Sequence, residues 1–362
     1  MVAIQQSRET VPRRTLPRPG IMRRAIQRRD AGYDGAFYFA VRTTGVFCNP
    51  SCSARKPHAR HCVYFRTPSE AIRAGYRPCK RCRPEQADTL APDWIRPLLA
   101  RVDSGDGERL TDRDLRAMGL SPFRVRRFFR SKFGMTFQRF ARQRRLASAV
   151  THIRKGLDVT TTALRSGYES ISGFESAARR AFGTSARRVT AVQPVFSKTI
   201  NSPIGPLLLG ANDEGLCVLS FSEGRSVAAN LARLSRQLKC PVLAGPHELL
   251  DAAADQLTEY FAGKRREFDL PLHYPGTPFQ RAVWSALRRI PYGRTTSYEQ
   301  LARAVGRPGA QRAVGTANGS NRIAIIIPCH RVVNKSGKIG GYGGGVWRKE
   351  FLLELERSAA SR

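Results

Sequence analysis

Acidic residues are scarce in this chain of 362 residues: 28 Asp and Glu stand against 62 Lys and Arg, a formal charge of +34. That excludes a surface indifferent to polyanions and predicts long-range attraction to one, nucleic acid being the commonest. Apolar runs of spanning length are missing, which excludes a transmembrane helix of the usual kind. The N-terminus lacks the apolar core of a signal peptide. Without a secretory signal, the eight cysteines suit a metal better than disulfides. The arginines of the first residues resemble those of a transit peptide, but Pro12, Pro17 and Pro19 break the helix such a peptide needs. Residues 1–20 read as a disordered basic tail.

The length allows two or three domains, each able to bury a core. Composition separates a cysteine cluster (21–88), an Arg-rich segment of helical period (90–190) and a third segment running to the C-terminus. Asp88-Thr89-Leu90-Ala91-Pro92 and Thr190-Ala191-Val192-Gln193-Pro194 read as junctions.

Five of the eight cysteines fall within 48–82. Cys48-x3-Cys52 and Cys79-x2-Cys82 have the close paired spacing of a tetrahedral zinc site with four thiolate ligands. A redox use of Cys79-Lys80-Arg81-Cys82 is the rival, but its βαβ context is missing. Gly35-Ala36-Phe37-Tyr38-Phe39 through Phe47-Cys48-Asn49-Pro50-Ser51-Cys52, and Gly75-Tyr76-Arg77-Pro78-Cys79, resemble the methylphosphotriester-acceptor domain of the bacterial Ada family. The resemblance implies that Cys48 is the methyl acceptor, that all four cysteines ligate zinc, and that Thr44 and Arg55 lie at the DNA backbone. Asn49 and Ser53 stand where the family carries arginines, so the phosphate contacts are expected to be rearranged. Cys62, His58 and His61 are extra potential ligands and read as a solvated loop.

In the Arg-rich segment, Gly119 suits a turn, Ser121 an N-cap and Pro122 the first helical position. Val125 and Phe129 fall on one buried face, while Arg124, Arg126, Arg127 and Arg130 project elsewhere. A second unit runs through Thr160–Tyr168 to Ile171 and Phe174, both expected to face inward. Gly134-Met135-Thr136 and Gly183-Thr184-Ser185 close the two units. The pattern resembles the paired helix-turn-helix domain of AraC-type regulators, which implies DNA contacts from residues such as Arg124 and Arg127. Gly173, unfavourable inside a helix by about 1 kcal/mol relative to Ala, and Ala186, where a proline is usual, weaken the second unit. Its helix is expected to grip phosphates more than read bases.

The third segment opens with strands at 195–199, 207–211 and 216–221 and helices near 225–237 and 247–261, a small α/β lobe (194–275) read as scaffold. Cys217 and Cys240 read as core. From 276 to 358 the pattern turns helical. Ser297 caps a helix to about Val305, and another runs over 309–318. Ile325-Ile326-Ile327-Pro328 then leads to Cys329-His330: a strand-like run ending in a thiol with a base beside it, where thiolate is the nucleophile. A buried structural cysteine beside a chance histidine is the bland alternative. With Arg312–Asn321 upstream and Gly340-Gly341-Tyr342 and Lys349–Glu356 downstream, the pattern resembles the O6-alkylguanine-DNA alkyltransferases and their winged-helix lobe.

That resemblance implies a suicidal methyl transfer to Cys329, with His330 drawing off the proton through a water and Glu356 orienting it. Glu354 competes for that role. Arg312 would wedge into the stack, and the small residues Ala313, Gly315 and Ala317 would let the helix lie deep in a minor groove. Tyr298 would crowd the target phosphate, and either it or a backbone N–H would donate to the departing guanine. Asn321 would buttress the turn, loosened because Arg322 replaces a usual proline. The expected architecture is therefore multidomain α/β and all-α: a four-cysteine zinc domain, a double helix-turn-helix, and an α/β lobe plus winged-helix-like alkyltransferase domain. The expected function is bifunctional repair and activation, or repair alone with a helix-turn-helix that only aids DNA binding. The implied partners are alkylated and operator duplex DNA and RNA polymerase, and the expected state is a cytoplasmic, nucleoid-associated monomer with one Zn²⁺.

Overall fold

A computed structural model describes residues 16–30, 33–84, 93–103, 109–221 and 227–360. Most of the N-terminal tail and the junction at 88–92 lie outside these residues. The tail reading ends early: Pro19 occupies the first turn of the helix Pro19–Arg28, where a missing N–H costs nothing. Met22, Ala25 and Ile26 bury the inner face of this helix.

The cysteine segment forms a sheet of order β3-β1-β2-β4 from β1 (Tyr38–Val41), β2 (Val46–Cys48), β3 (Cys62–Phe65) and β4 (Arg77–Pro78). Strand alternation divides its side chains. Tyr38, Ala40 and Phe47 pack with Ala71 on one face, and Phe39 packs with Cys48, Cys52 and Cys79 on the other. Cys62 lies at the start of β3, paired with Val41, and so belongs to the sheet rather than to a loop.

Six helices follow: Arg96–Asp103, Asp112–Ala117, Pro122–Lys132, Phe137–Arg154, Val159–Arg165 and Ile171–Phe182. Ser121, Thr136, Asp158 and Ser170 each cap a helix through the side chain. The 18-residue helix Phe137–Arg154 belongs to both units. Phe137, Phe140 and Ala141 join the core of the first, and Leu146, Ala147, Val150 and Ile153 join that of the second. Phe174 is buried as expected, but Ile171 is exposed: it opens its helix and points away from the core. Gly173 sits in the first turn, where its N–H bonds Ser170 Oγ at 3.1 Å, so the penalty of a helix interior does not apply in full.

The α/β lobe is a sheet of order β7-β6-β5-β8, with β5 (Val195–Ile200), β6 (Leu207–Asn212), β7 (Gly215–Phe221) and a short parallel edge strand, β8 (Val242–Ala244), that sequence did not announce. The second half of the helix Phe137–Arg154 lies over β8. A Cβ on Gly245 would stand 2.3 Å from the Ala147 Cβ, so glycine is what permits the approach. Arg154 bonds Asp213 at 3.0 Å and Lys155 bonds Glu248 at 3.3 Å across the same contact.

The last unit holds helices Pro278–Arg288, Tyr298–Ala304, Gln311–Gly319 and Val346–Ala360 and a parallel pair, β9 (Thr296–Ser297) and β10 (Val332–Val333). Ile325–Ile327 is not a strand. The segment is a buried turn with Ile325 in the left-handed region at φ 72°, unusual for a β-branched residue. Asn321 makes it possible: its Nδ2 donates to Ile327 O at 2.8 Å and its Oδ1 accepts from Ile323 N at 2.9 Å. Leu219 of β7 clamps the outer side, donating to Arg322 O and accepting from Ala324 N, each at 2.8 Å. Arg322 therefore does not loosen the turn.

Candidate active sites and nucleic-acid interface

The four cysteines Cys48, Cys52, Cys79 and Cys82 bring their sulfurs within 4.8 Å of one another, with Cys52 and Cys79 at 3.9 Å. A tetrahedron of Zn–S bonds near 2.3 Å has edges of about 3.8 Å, so the donor set fits zinc. The protonation pattern agrees. Its hydrogen bond to Cys82 and then burial hold Cys48 protonated far above the thiol range. Burial lifts Cys52 to about 11. Cys82, accepting from Cys48, falls to about 6. A divalent cation bound by the sulfurs would favour the ionised form of each ligand. Among the described residues the metal-capable group is these four. Cys62 instead turns its Sγ to His58 O at 3.6 Å, and His61 takes a bond from Arg60 at 3.1 Å.

A cleft of about 630 Å³ opens at Cys48, lined by Thr44, Arg55, Lys56, His58, His61 and Arg77 among others. Thr44 and Arg55 are exposed there. Asn49 is buried and its N–H donates to Cys82 Sγ at 3.4 Å. At Ser53, the backbone carbonyl gathers Arg29 and Arg81 at 3.4 and 3.3 Å. Arginines thus reach this edge from elsewhere in the chain.

The second site is a pocket of about 420 Å³ whose lining includes Tyr298, Gly315, Asn318, Asn321, Cys329 and Tyr342. Cys329 is 5% exposed and opens a short 3₁₀ turn with His330 and Arg331. Burial pushes its thiol up, while Asn321, Tyr342 and the Lys349 ammonium act in the opposite direction. His330 Nε2 lies 2.8 Å from Glu356 Oε1, whereas Glu354 is exposed and faces Arg357. His330 Nδ1 is buried with no hydrogen-bond partner among the described residues. Burial would raise the Glu356 carboxyl, but His330 and Arg331 hold it down at about 2. An acid this strong takes no proton from imidazole; it fixes the Nε2–H tautomer and leaves Nδ1 as acceptor.

Three groups here went unassigned in the sequence. Arg331 binds Glu356 through Nε at 2.9 Å and Nη2 at 3.0 Å. Lys349 is fully buried and donates to Val332 O. Tyr342 lies in the pocket with Cys329. A basic residue two after the thiol, and a lysine at an apolar helical position, were the available signals. On the helix Gln311–Gly319, Arg312 and Ala313 are exposed and Gly315 sits 3.9 Å from Tyr298, counted from its would-be Cβ. Ala317 is not on that surface; it is buried, its carbonyl taking the Trp284 indole N–H at 2.8 Å.

In the helical segment, Arg127 is exposed and the Arg124 guanidinium stacks 4.1 Å over Trp94. Phe123 and Ile171, at the starts of the two second helices, are exposed apolar side chains. A cleft of about 660 Å³ between the units is lined by Arg109, Arg142, Arg145, Tyr168, Gly173 and Arg180 among others.

Four family models match in order: the metal binding domain of Ada over 22–85, a helix-turn-helix domain over 115–191, and the ribonuclease-like and DNA binding domains of 6-O-methylguanine DNA methyltransferase over 195–274 and 278–358. The bifunctional transcriptional activator/DNA repair enzyme Ada of Escherichia coli K12 is 36% identical over 352 residues, covering 93% of this chain and 96% of that protein. The chain belongs to the Ada family. The regulatory protein ada of Salmonella typhimurium is 35% identical, covering 91% of this chain and 94% of that one. Among solved structures, Mycobacterium tuberculosis OGT in complex with DNA is 48% identical, covers 46% of this chain and 94% of its own, and has a TM-score of 0.40. As an Ada-family chain it joins methylphosphotriester and O6-methylguanine repair to transcriptional activation, as a methylated-DNA–protein-cysteine methyltransferase with a DNA-binding helix-turn-helix and a four-cysteine cluster suited to zinc. Among the described residues no helix is long and apolar enough to cross a membrane.

Proposed function

We propose that the two methyl-transfer activities of this Ada-family chain divide between two nucleophiles in separate units. Cys329 Sγ attacks the methyl carbon of O6-methylguanine in line. The S–C bond forms as the C–O6 bond breaks, the electron pair passes to the base, and Tyr298 or a backbone N–H donates to it. His330 Nδ1 takes the thiol proton through one water, and Glu356 holds the ring for that transfer. The thioether is irreversible, so each chain acts once. The observation that carries this reading is the unpartnered Nδ1 of a histidine whose other nitrogen is pinned by a fixed carboxylate.

The target base lies inside the stack and must be flipped out, at a cost of a few kcal/mol. Exposed Arg312 serves as the wedge, and the shallow surface at Ala313 and Gly315 admits the minor groove. In the zinc unit Cys48 Sγ takes the methyl from a phosphotriester, leaving an ordinary phosphodiester anion. Zinc bound by Cys48, Cys52, Cys79 and Cys82 supplies thiolate character at neutral pH. Thr44, Arg55, Lys56 and Arg77 meet the flanking phosphates, with Arg29 and Arg81 replacing arginines absent at 49 and 53.

Arg127, with Arg124 braced on Trp94, carries the first helix-turn-helix onto its operator, and the arginine-lined cleft grips backbone phosphate. Exposed Phe123 and Ile171 suit contact with thymine methyls. Activation brings RNA polymerase as partner. Two readers in one chain remove the need to dimerise, and a duplex-DNA substrate places the monomer in the cytoplasm at the nucleoid. The test is methyl transfer from duplexes carrying either lesion. Cys329→Ala should abolish O6-methylguanine repair and spare phosphotriester repair, and Cys48→Ala should do the reverse. Label on the wrong unit in either variant refutes the division.

A further inference from the structure

The α/β lobe sends a phenol into the reactive centre of the other lobe. We propose that Tyr260 is a positioning residue for methyl transfer: its hydroxyl, delivered from the helix Glu248–Phe261, fixes the Glu356 oxygen that orients His330. The inference rests on the reading of His330 as the base.

Tyr260 is fully buried, and its hydroxyl donates to Glu356 Oε1 at 2.8 Å. The same oxygen faces His330 Nε2 at 2.8 Å and Arg331 Nη2 at 3.0 Å. Oε2 accepts from Arg331 Nε at 2.9 Å and Gly293 N at 3.1 Å. Five donors therefore meet a group with about four lone-pair sites. Three of them crowd the oxygen that serves the base, so its direction is set by all three. The phenol cannot swing away, because its ring is packed on Phe268 at 5.4 Å and Tyr292 at 6.0 Å between centroids.

The charge consequence follows from the same geometry. Each donor on Oε1 shares the negative charge that would otherwise stabilise an imidazolium at His330. The other titratable or charged groups facing the cluster are Arg331, Lys349 and Tyr292, with Arg266 beyond Tyr292, and Cys329, Tyr342 and Arg348 beyond the histidine. None of them replaces the Tyr260 bond. Without the hydroxyl, Oε1 keeps more charge for His330, and the neutral base is lost at a higher pH. The α/β lobe then contributes to the chemistry as well as to the scaffold.

A phenol with a hydrogen bond is also what a plain core tyrosine has, so the test separates the two. Single-turnover methyl transfer from an O6-methylguanine duplex, at saturating DNA, is measured against pH for the full chain and Tyr260→Phe. The expected result is an acid limb moved up by about half a pH unit, a plateau several-fold lower, and unchanged DNA affinity. Fluorotyrosine at 260, a stronger donor that keeps the ring, should move the limb the other way and serves if Tyr260→Phe folds poorly. Superimposable profiles for these variants, with only melting temperature changed, would overturn the proposal. His330→Ala and Glu356→Gln run beside them. If those two keep the wild-type rate, the base reading itself fails; if they collapse while Tyr260→Phe matches wild type, only the positioning role fails.

Discussion

Replacing Glu356 by Gln keeps the shape of the side chain and removes its charge. The native carboxyl sits at about 2, against an ordinary value of 4.5. A folded-state value depressed below the unfolded one stabilises the protein above the unfolded value, and the contribution is lost as pH falls through the folded one. The difference of roughly 2.5 pK units corresponds to about 3 kcal/mol at pH 7, falling to about 1 kcal/mol at pH 3. The variant also leaves the buried Arg331 guanidinium without a counter-charge, a change that typically costs 3–5 kcal/mol, so about 3 kcal/mol is the expected loss at neutral pH. Of the three tryptophans, Trp284 and Trp347 lie in the last unit and Trp94 does not. In a Trp94→Phe background, fluorescence-detected urea unfolding of the full chain therefore reports on the unit that holds Glu356. The gap between wild type and Glu356→Gln should narrow steadily from pH 7 to pH 3. A gap below 1 kcal/mol at pH 7, or one that does not change with pH, would refute the picture of a charge-locked carboxylate. Methyl transfer to Cys329 should fall 10²–10⁴-fold in the same variant, the usual range for a lost acid–base function.

Two further outcomes are expected. Cys79→Ala should abolish the single zinc equivalent and unfold the sheet around Cys48, read by metal analysis and hydrogen exchange, since binding free energy here is folding free energy; a variant that keeps stoichiometric zinc counts against the four-ligand set. Arg312→Ala should slow repair of O6-methylguanine in a duplex far more than repair of the free base, and equal slowing would remove the wedge from the mechanism.

What was legible in the sequence was whatever has a short-range signature. Paired cysteines at metal spacing, capping residues such as Ser121 and Ser297, and the adjacent Cys329-His330 pair are local patterns, whereas Glu356 was legible only through the resemblance to the alkyltransferases. The turn at Ile325 was misread because three consecutive isoleucines carry strand propensity. The left-handed kink there is imposed by Asn321 and by β7, neither of which propensity sees. Ile171 was placed inward because helical period assigns a face but not the point where the first turn leaves the core. Ala317 was placed outward for a different reason, since smallness serves a groove and a tight core alike. Tyr260 left no trace because its partner, Glu356, is 96 residues away, and Arg331 showed only as a basic residue two after the thiol, with nothing local to name its partner. The contact between Ala147 and Gly245 was equally silent.

That last contact changes what a domain boundary means in this chain. The junction near residue 192 is a joint in composition, yet the helix before it and the edge strand after it share one apolar seam. Cutting there would strip β8 of its cover in one half and expose the stripe of Leu146, Val150 and Ile153 in the other. Halves made this way would be sticky, each exposing what the other shielded. The operator reader and the lesion repairer are therefore held together by a packed seam rather than by a tether.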